Sequence, residues 1–186
     1  MNIYFITYKF QHHYLISGYN RLAEFLPCRE ITIPPRVNRT INRFFTFKMW
    51  EDLRKRTGLP GYYPECLYLE WHARLRSFLP GRRLFHFAYP ENSLYFTAKR
   101  KRSSKTKLVA TYHQPPEESR QFIIKTDALK QLDAVILLSE SQRAFFEPVV
   151  GKEKIHIVPH GIDLKFFTPP VLRSPNRKII AVGNWL

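Results

Sequence analysis

The sequence predicts an α/β domain built on a doubly wound parallel sheet, and three observations carry that expectation. Short apolar or β-branched runs recur along the chain, most of them continuously apolar rather than alternating, and the stretches between them are long enough for crossover helices. Continuous apolar runs suit strands covered on both faces, and parallel neighbours need a long connection rather than a tight turn. With 186 residues and 44% hydrophobic side chains, the chain has enough apolar surface for one ordinary core and little for a second.

Residues 3–7 form the first expected strand. Ser17-Gly18 then opens a helix whose apolar positions Tyr19, Leu22, Ala23 and Leu26 repeat at helical spacing until Pro27 stops it. A second strand is expected at 31–33. Two helices, 38–56 and 65–78, follow around the turn Gly58-Leu59-Pro60-Gly61. Strands at 84–88 and 108–112 flank the basic run 99–107, which reads as a solvated loop or a fraying helix end. Pro115-Pro116-Glu117-Glu118 places a proline and two acids in a first helical turn, where a missing N–H is harmless and negative charge meets the helix dipole. After a strand at 134–138, Ser139-Glu140-Ser141-Gln142 has capping-box spacing, and Pro148 is expected to end the helix it opens. Strands at 155–158 and 178–182 complete the order.

Thirty Lys and Arg against fifteen Asp and Glu leave a net charge of +15, which attracts polyanions without selecting among nucleic acid, anionic lipid and phosphorylated substrates. Within 38–56, cations interleave with Ile41, Phe44, Phe45, Phe47, Met49, Trp50 and Leu53. One reading is an interfacial helix that sets Arg39, Arg43, Phe44, Phe45, Lys48 and Trp50 against an anionic membrane; the other is a core helix with a solvated basic face. The 99–107 run has no aromatic residue within it and no RNA-binding signature, so nucleic acid is not the expected partner. Cys28 and Cys66 form neither a CxxC pair nor a ligand cluster, so no metal is expected and a reducing cytoplasm suits them. No basic segment with a long apolar run follows Met1, and nothing approaches the roughly 18–20 apolar residues of a membrane span. The expected location is cytoplasmic, with peripheral attachment to the membrane face as a candidate.

In an open parallel sheet, ligands gather beyond the carboxyl ends of the strands. Five loops there carry polar side chains: His12, His13, Ser17 and Gly18; Tyr89, Glu91 and Asn92; His113 and Gln114; Ser139 and Glu140; His160 and Gly161. Their convergence on one rim is the main argument for a site.

The segment Val158-Pro159-His160-Gly161-Ile162-Asp163, with Phe167, Pro169 and then Ile179-Ile180-Ala181-Val182-Gly183, resembles the junction between the two halves of retaining family 4 glycosyltransferases. The resemblance implies the N-terminal, Rossmann-like domain of the GT-B fold over residues 1–170. It also implies a linker and the first strand of a truncated donor-binding domain over 171–186. Implied with it are a nucleotide-sugar donor as co-substrate, no other cofactor, and a glycan or lipid-linked acceptor. Thr111-Tyr112-His113-Gln114-Pro115 resembles the family's strand-end motif, so His113 is the implied catalytic residue, hydrogen-bonding a sugar hydroxyl or the leaving phosphate. The alternative is a strand-end imidazole satisfied by a nearby carbonyl. Ser17 and Gly18 stand where the family's glycine-bearing loop binds phosphate or an acceptor hydroxyl; they also fit a plain helix cap. His160 and Gly161 are implied to shape the cleft, Gly161 through a turn with positive φ, with direct substrate contact as the second reading. The chain is then expected to bind acceptor and to be catalytically incomplete. A nucleotide-sugar epimerase of the same fold, or a non-enzymatic basic module for membrane or nucleic acid, remain the other readings.

Overall fold

The computed structural model describes residues 1–9, 22–99 and 103–161. Six strands form one sheet: β1 (Asn2–Ile6), β2 (Arg29–Ile31), β3 (Arg83–Phe87), β4 (Thr106–Tyr112), β5 (Ala134–Leu137) and β6 (Ile155–Ile157). Their order is β2-β1-β3-β4-β5-β6, and every neighbouring pair is parallel. This is the doubly wound, Rossmann-like arrangement the sequence predicts, consistent with the N-terminal domain of the GT-B fold. The register brings Ile31, Ile6 and Phe87 level at one end of the sheet, with Tyr112, Leu137 and Ile157 level beside them. All carboxyl ends therefore share one rim.

The helices are α1 (Pro35–Phe44), α2 (Phe47–Thr57), α3 (Cys66–Ser77), α4 (Pro90–Ser93), α5 (Phe96–Lys99), α6 (Pro116–Phe122) and α7 (Arg143–Val150). The main core joins Tyr4, Ile6, Phe85, Phe87, Leu108, Val135 and Leu137 of the sheet to Cys66, Leu69 and Ala73 of α3 and Phe146 of α7. A smaller cluster, Phe5, Ala88 and Tyr89, packs with Leu22, Ala23 and Cys28. Arg83, itself buried, donates to the carbonyls of Ser77 and Leu79 and so closes the end of α3 where four carbonyls lose their helical partners.

Several expectations need correction. The single helix 38–56 is two helices: Phe45 is extended, and the Thr46 hydroxyl accepts the Met49 N–H at 3.3 Å as the cap of α2. A threonine that caps its own downstream turn competes with helix continuation through it. The first of these helices also begins earlier than expected, because Pro35 sits at a first-turn position. Pro148 does not end α7 but lies inside it; the helix runs on to Gly151, whose φ of 87° closes it with an N–H donated to Glu147 at 3.1 Å. A proline six residues into a helix forfeits one hydrogen bond, and packed Phe146 and Val150 hold the turn in place. The expected strand 31–33 pairs instead at Arg29–Ile31, against Tyr4–Ile6, and has no ladder partner beyond the end of β1. The basic run is only partly loop: Lys99 ends α5, and Thr106 and Lys107 begin β4. Of the expected first helix, the described residues contain a 3₁₀ turn at Leu22–Phe25. Residues 162–186, with the expected strand 178–182 and the whole 171–186 domain fragment, lie outside the described residues.

Candidate active site

The chain runs outward from β1 to β2 on one side and from β3 to β6 on the other. The crevice where a doubly wound sheet binds ligands is thus at the ends of β1 and β3. Two hydrogen bonds define it: Ala88 donates its N–H to Ile6 at 2.9 Å, and Thr7 donates to Ile31 at 3.1 Å. Tyr8 continues β1 outward; its hydroxyl donates to Glu65 at 2.8 Å and its ring stacks on Tyr63 with centroids 5.3 Å apart.

His113 leans from the end of β4 toward this crevice. Its Nε2 lies 2.5 Å from the Ala88 carbonyl, and its ring sits 5.1 Å from that of Tyr89. A carbonyl can only accept, so Nε2 carries the proton in that contact. The structure thus gives His113 the carbonyl partner of its plainer reading and, at the same time, a place beside the crevice. Below it, His86 of β3 contacts the Thr111 hydroxyl through Nε2 at 2.7 Å and meets Phe5 edge to face at 5.1 Å. Burial and the neighbouring His113 ring lower the His86 pKa to about 4, so it is neutral at physiological pH.

Glu91, in the first turn of α4, is buried, and its Oε2 has no hydrogen-bond partner. Burial pushes its carboxyl up to about 7. The adjacent Asn92 donates to the Gly61 carbonyl at 2.6 Å, tying the end of β3 to the turn before α3. Glu91 stood among the rim residues in the sequence, but nothing there distinguished a buried carboxyl from a solvated first-turn acid. His86 had a weaker signal still, a polar residue inside Arg83-Leu84-Phe85-His86-Phe87.

At β5, Ser139 and Glu140 occupy structural roles. Ser139 caps the following turn with Gln142 reaching back, the expected capping box. Glu140, largely exposed, pairs with Arg143 at 2.5 Å. Gln142 does more than the spacing implied: it accepts from the N–H groups of Leu138 and Ser139 and donates to the carbonyls of Tyr112 and Gln114, so it clasps the ends of β4 and β5 together. His160 and Gly161 are exposed beyond β6, with His160 Nδ1 3.2 Å from the Gly161 carbonyl. The expected positive φ at Gly161 is absent, and a Cβ there would meet nothing within 4 Å. The chain leaves β6 without a tight left-handed turn, so its backbone path there does not require glycine. Ser17, Gly18, His12 and His13 follow β1 but lie outside the described residues, as do Asp163, Phe167 and Gly183.

On the basic segment, Arg39, Arg43 and Lys48 are exposed, as are Phe44 at 72% and Phe47 at 69%. Phe45 is half-buried. Trp50 turns inward: its indole donates to the Tyr62 carbonyl at 2.9 Å and the ring lies under the Arg54 guanidinium at 4.3 Å. The apolar projections on this surface are therefore Phe44 and Phe47. Among the described residues, no helix is long and apolar enough to cross a membrane, and no group of three or more His, Cys, Asp or Glu could hold a metal ion.

A family model described as Glycosyltransferase Family 4 matches residues 24–166, which include β2 through β6 and the His113 and His160 loops. No curated protein matches the chain.

Proposed function

We propose, since the chain belongs to Glycosyltransferase Family 4, that it forms the acceptor side of a retaining glycosyltransferase using a nucleotide-sugar donor. The observation that carries this reading is the crevice at the ends of β1 and β3, with His113 held beside it by the Ala88 carbonyl and the Tyr89 ring. Transfer breaks the bond between the anomeric carbon and a phosphate oxygen and forms one to the acceptor oxygen, whose proton leaves toward the departing phosphate. The side chains named here supply positioning and hydrogen bonds for that exchange. His113 meets a hydroxyl of the transferred sugar or the leaving phosphate. Ser17 and Gly18, following β1, face the same ligand groups, and Ser139, Glu140, His160 and Gly161 border the acceptor. The donor-binding residues are assigned to the domain that begins near residue 171.

Product analysis tests the reading. A protein joining this domain to a donor-binding domain, incubated with nucleotide sugars and glycan or lipid-linked acceptors, should yield a product whose anomeric configuration, read by proton NMR, matches that of the donor. An inverted linkage overturns retention, and release of a free epimerised sugar nucleotide would favour the epimerase reading. A second element of the proposal is peripheral attachment to an anionic membrane, supported by exposed Phe44 and Phe47 among Arg39, Arg43 and Lys48.

A further inference from the structure

A cavity of about 340 Å³ opens on the outer side of the helix layer, where α2, α3 and α5 meet. Its walls are Arg56, Trp71, Arg74 and Phe96, with Glu70 and Thr97 at its polar end. The helical spacing of Leu67, Trp71 and Arg74 puts all three on one face of α3, toward the opening.

The polar end is chemically committed. Glu70 accepts the Tyr62 hydroxyl at 2.6 Å and the Tyr95 N–H at 3.0 Å on one oxygen, and the Thr97 N–H on the other. The Thr97 hydroxyl donates back to the Glu70 carbonyl at 3.4 Å. A neutral sugar would therefore find few partners for its hydroxyls. The walls remain available: Trp71 is 56% exposed, and the Arg56 guanidinium lies 5.5 Å over the Phe96 ring. Among the described residues, Arg56 meets no carboxylate within 4 Å. The Arg74 guanidinium lies 4.5 Å over Phe78. Two cations beside aromatic surface, with the one local carboxylate already occupied, complement a doubly charged head on an apolar body.

We propose that this cavity binds an organophosphate monoester, its apolar or aromatic body against Trp71 and Phe96 and its phosphate held by Arg56 and Arg74. Such a group is presented by a free aryl phosphate or by a single-chain lipid phosphate, and the two sources share this chemistry. The inference is independent of the glycosyl-transfer reading.

Calorimetric titration with phenyl phosphate and hexyl phosphate, against phenol and inorganic phosphate, tests it. At least one organophosphate should bind ten-fold or more tightly than either control. That affinity should fall ten-fold or more in Trp71→Ala and in the double variant Arg56→Gln, Arg74→Gln. Trp71 and Arg56 are exposed, so folding is preserved, and circular dichroism verifies it. Tighter hexyl phosphate assigns a lipid source and tighter phenyl phosphate a free aryl ester. An organophosphate that binds no better than inorganic phosphate, or variants that retain full affinity, overturn the site.

Discussion

Gln142 donates its side-chain amide to the Tyr112 carbonyl at 3.0 Å while its oxygen accepts the Leu138 N–H at 2.7 Å, so one side chain ties two strand ends. With the contacts to Ser139 and Gln114, it satisfies four backbone groups beneath the rim that carries His113. Buried backbone groups left unmade cost more than the net worth of the bonds themselves. Gln142→Ala should lower stability by roughly 2–4 kcal/mol in chemical denaturation. Gln142→Glu should also destabilise, because it faces two carbonyls with acceptors only. A loss below about 1 kcal/mol for Gln142→Ala would show that water replaces the clasp.

Glu91 and His86 give opposing pH dependences. Glu91 titrates near 7 folded against an ordinary 4.5, so the folded state holds the extra proton between those values and stability falls as pH rises through them. His86 titrates near 4 against 6.5, so the unfolded state holds the extra proton and stability rises over that window. The two largely offset one another from about pH 4.5 to 6.5. Glu91→Gln removes one side of the balance. Its stability relative to the wild type should climb by roughly 3 kcal/mol between pH 4.5 and 7.5. Urea melts at both pH values measure this directly, and a pH-independent difference would mean that the Glu91 carboxyl is solvated.

Strand order and rim were legible because they follow from burial. Apolar runs such as Ala134-Val135-Ile136-Leu137 declare strands, and parallel pairing fixes which ends carry loops. Boundaries failed where a single polar group decided them. The Thr46 hydroxyl broke one expected helix into two, and the clamp on Arg83 depends on carbonyls that have no sequence signature. At the site, His113 was legible from its place after a strand. The buried state of Glu91, the His86–Thr111 contact and the inward turn of Trp50 were not, since each depends on tertiary neighbours rather than spacing.

His113 separates catalysis from stability. In a protein competent for transfer, His113→Ala should reduce kcat by about ten- to a thousand-fold, equivalent to roughly 1.4–4 kcal/mol of transition-state stabilisation. The structural loss is one hydrogen bond to Ala88 and one ring contact with Tyr89, so stability should fall by only about 1–2 kcal/mol. Paired kinetics and thermal melts decide it. Full activity removes His113 from the chemistry, and a collapse of folding makes it structural.

The exposed pair Phe44 and Phe47 governs the membrane prediction. Each cation near an anionic leaflet contributes about 1 kcal/mol, and burying a Phe side chain contributes about 1.5–3 kcal/mol. With Arg39, Arg43 and Lys48 on the same segment, attachment should be reversible, selective for anionic over neutral vesicles, and weakened by salt as screening shortens the reach of the field. Co-sedimentation at low and high ionic strength reads all three properties. Replacing Phe44 and Phe47 together with serine should reduce binding at least ten-fold, whereas Trp50, held by the Tyr62 carbonyl, should matter mainly for folding. Changing Lys99, Arg100, Lys101 and Arg102 to glutamine should have the smaller effect, because that run has no aromatic residue to insert. If those four changes abolish attachment and the phenylalanine pair proves dispensable, the contact lies on the basic run instead. Equal binding to neutral and anionic vesicles, or displacement by RNA at low salt, defeats membrane recognition by this surface.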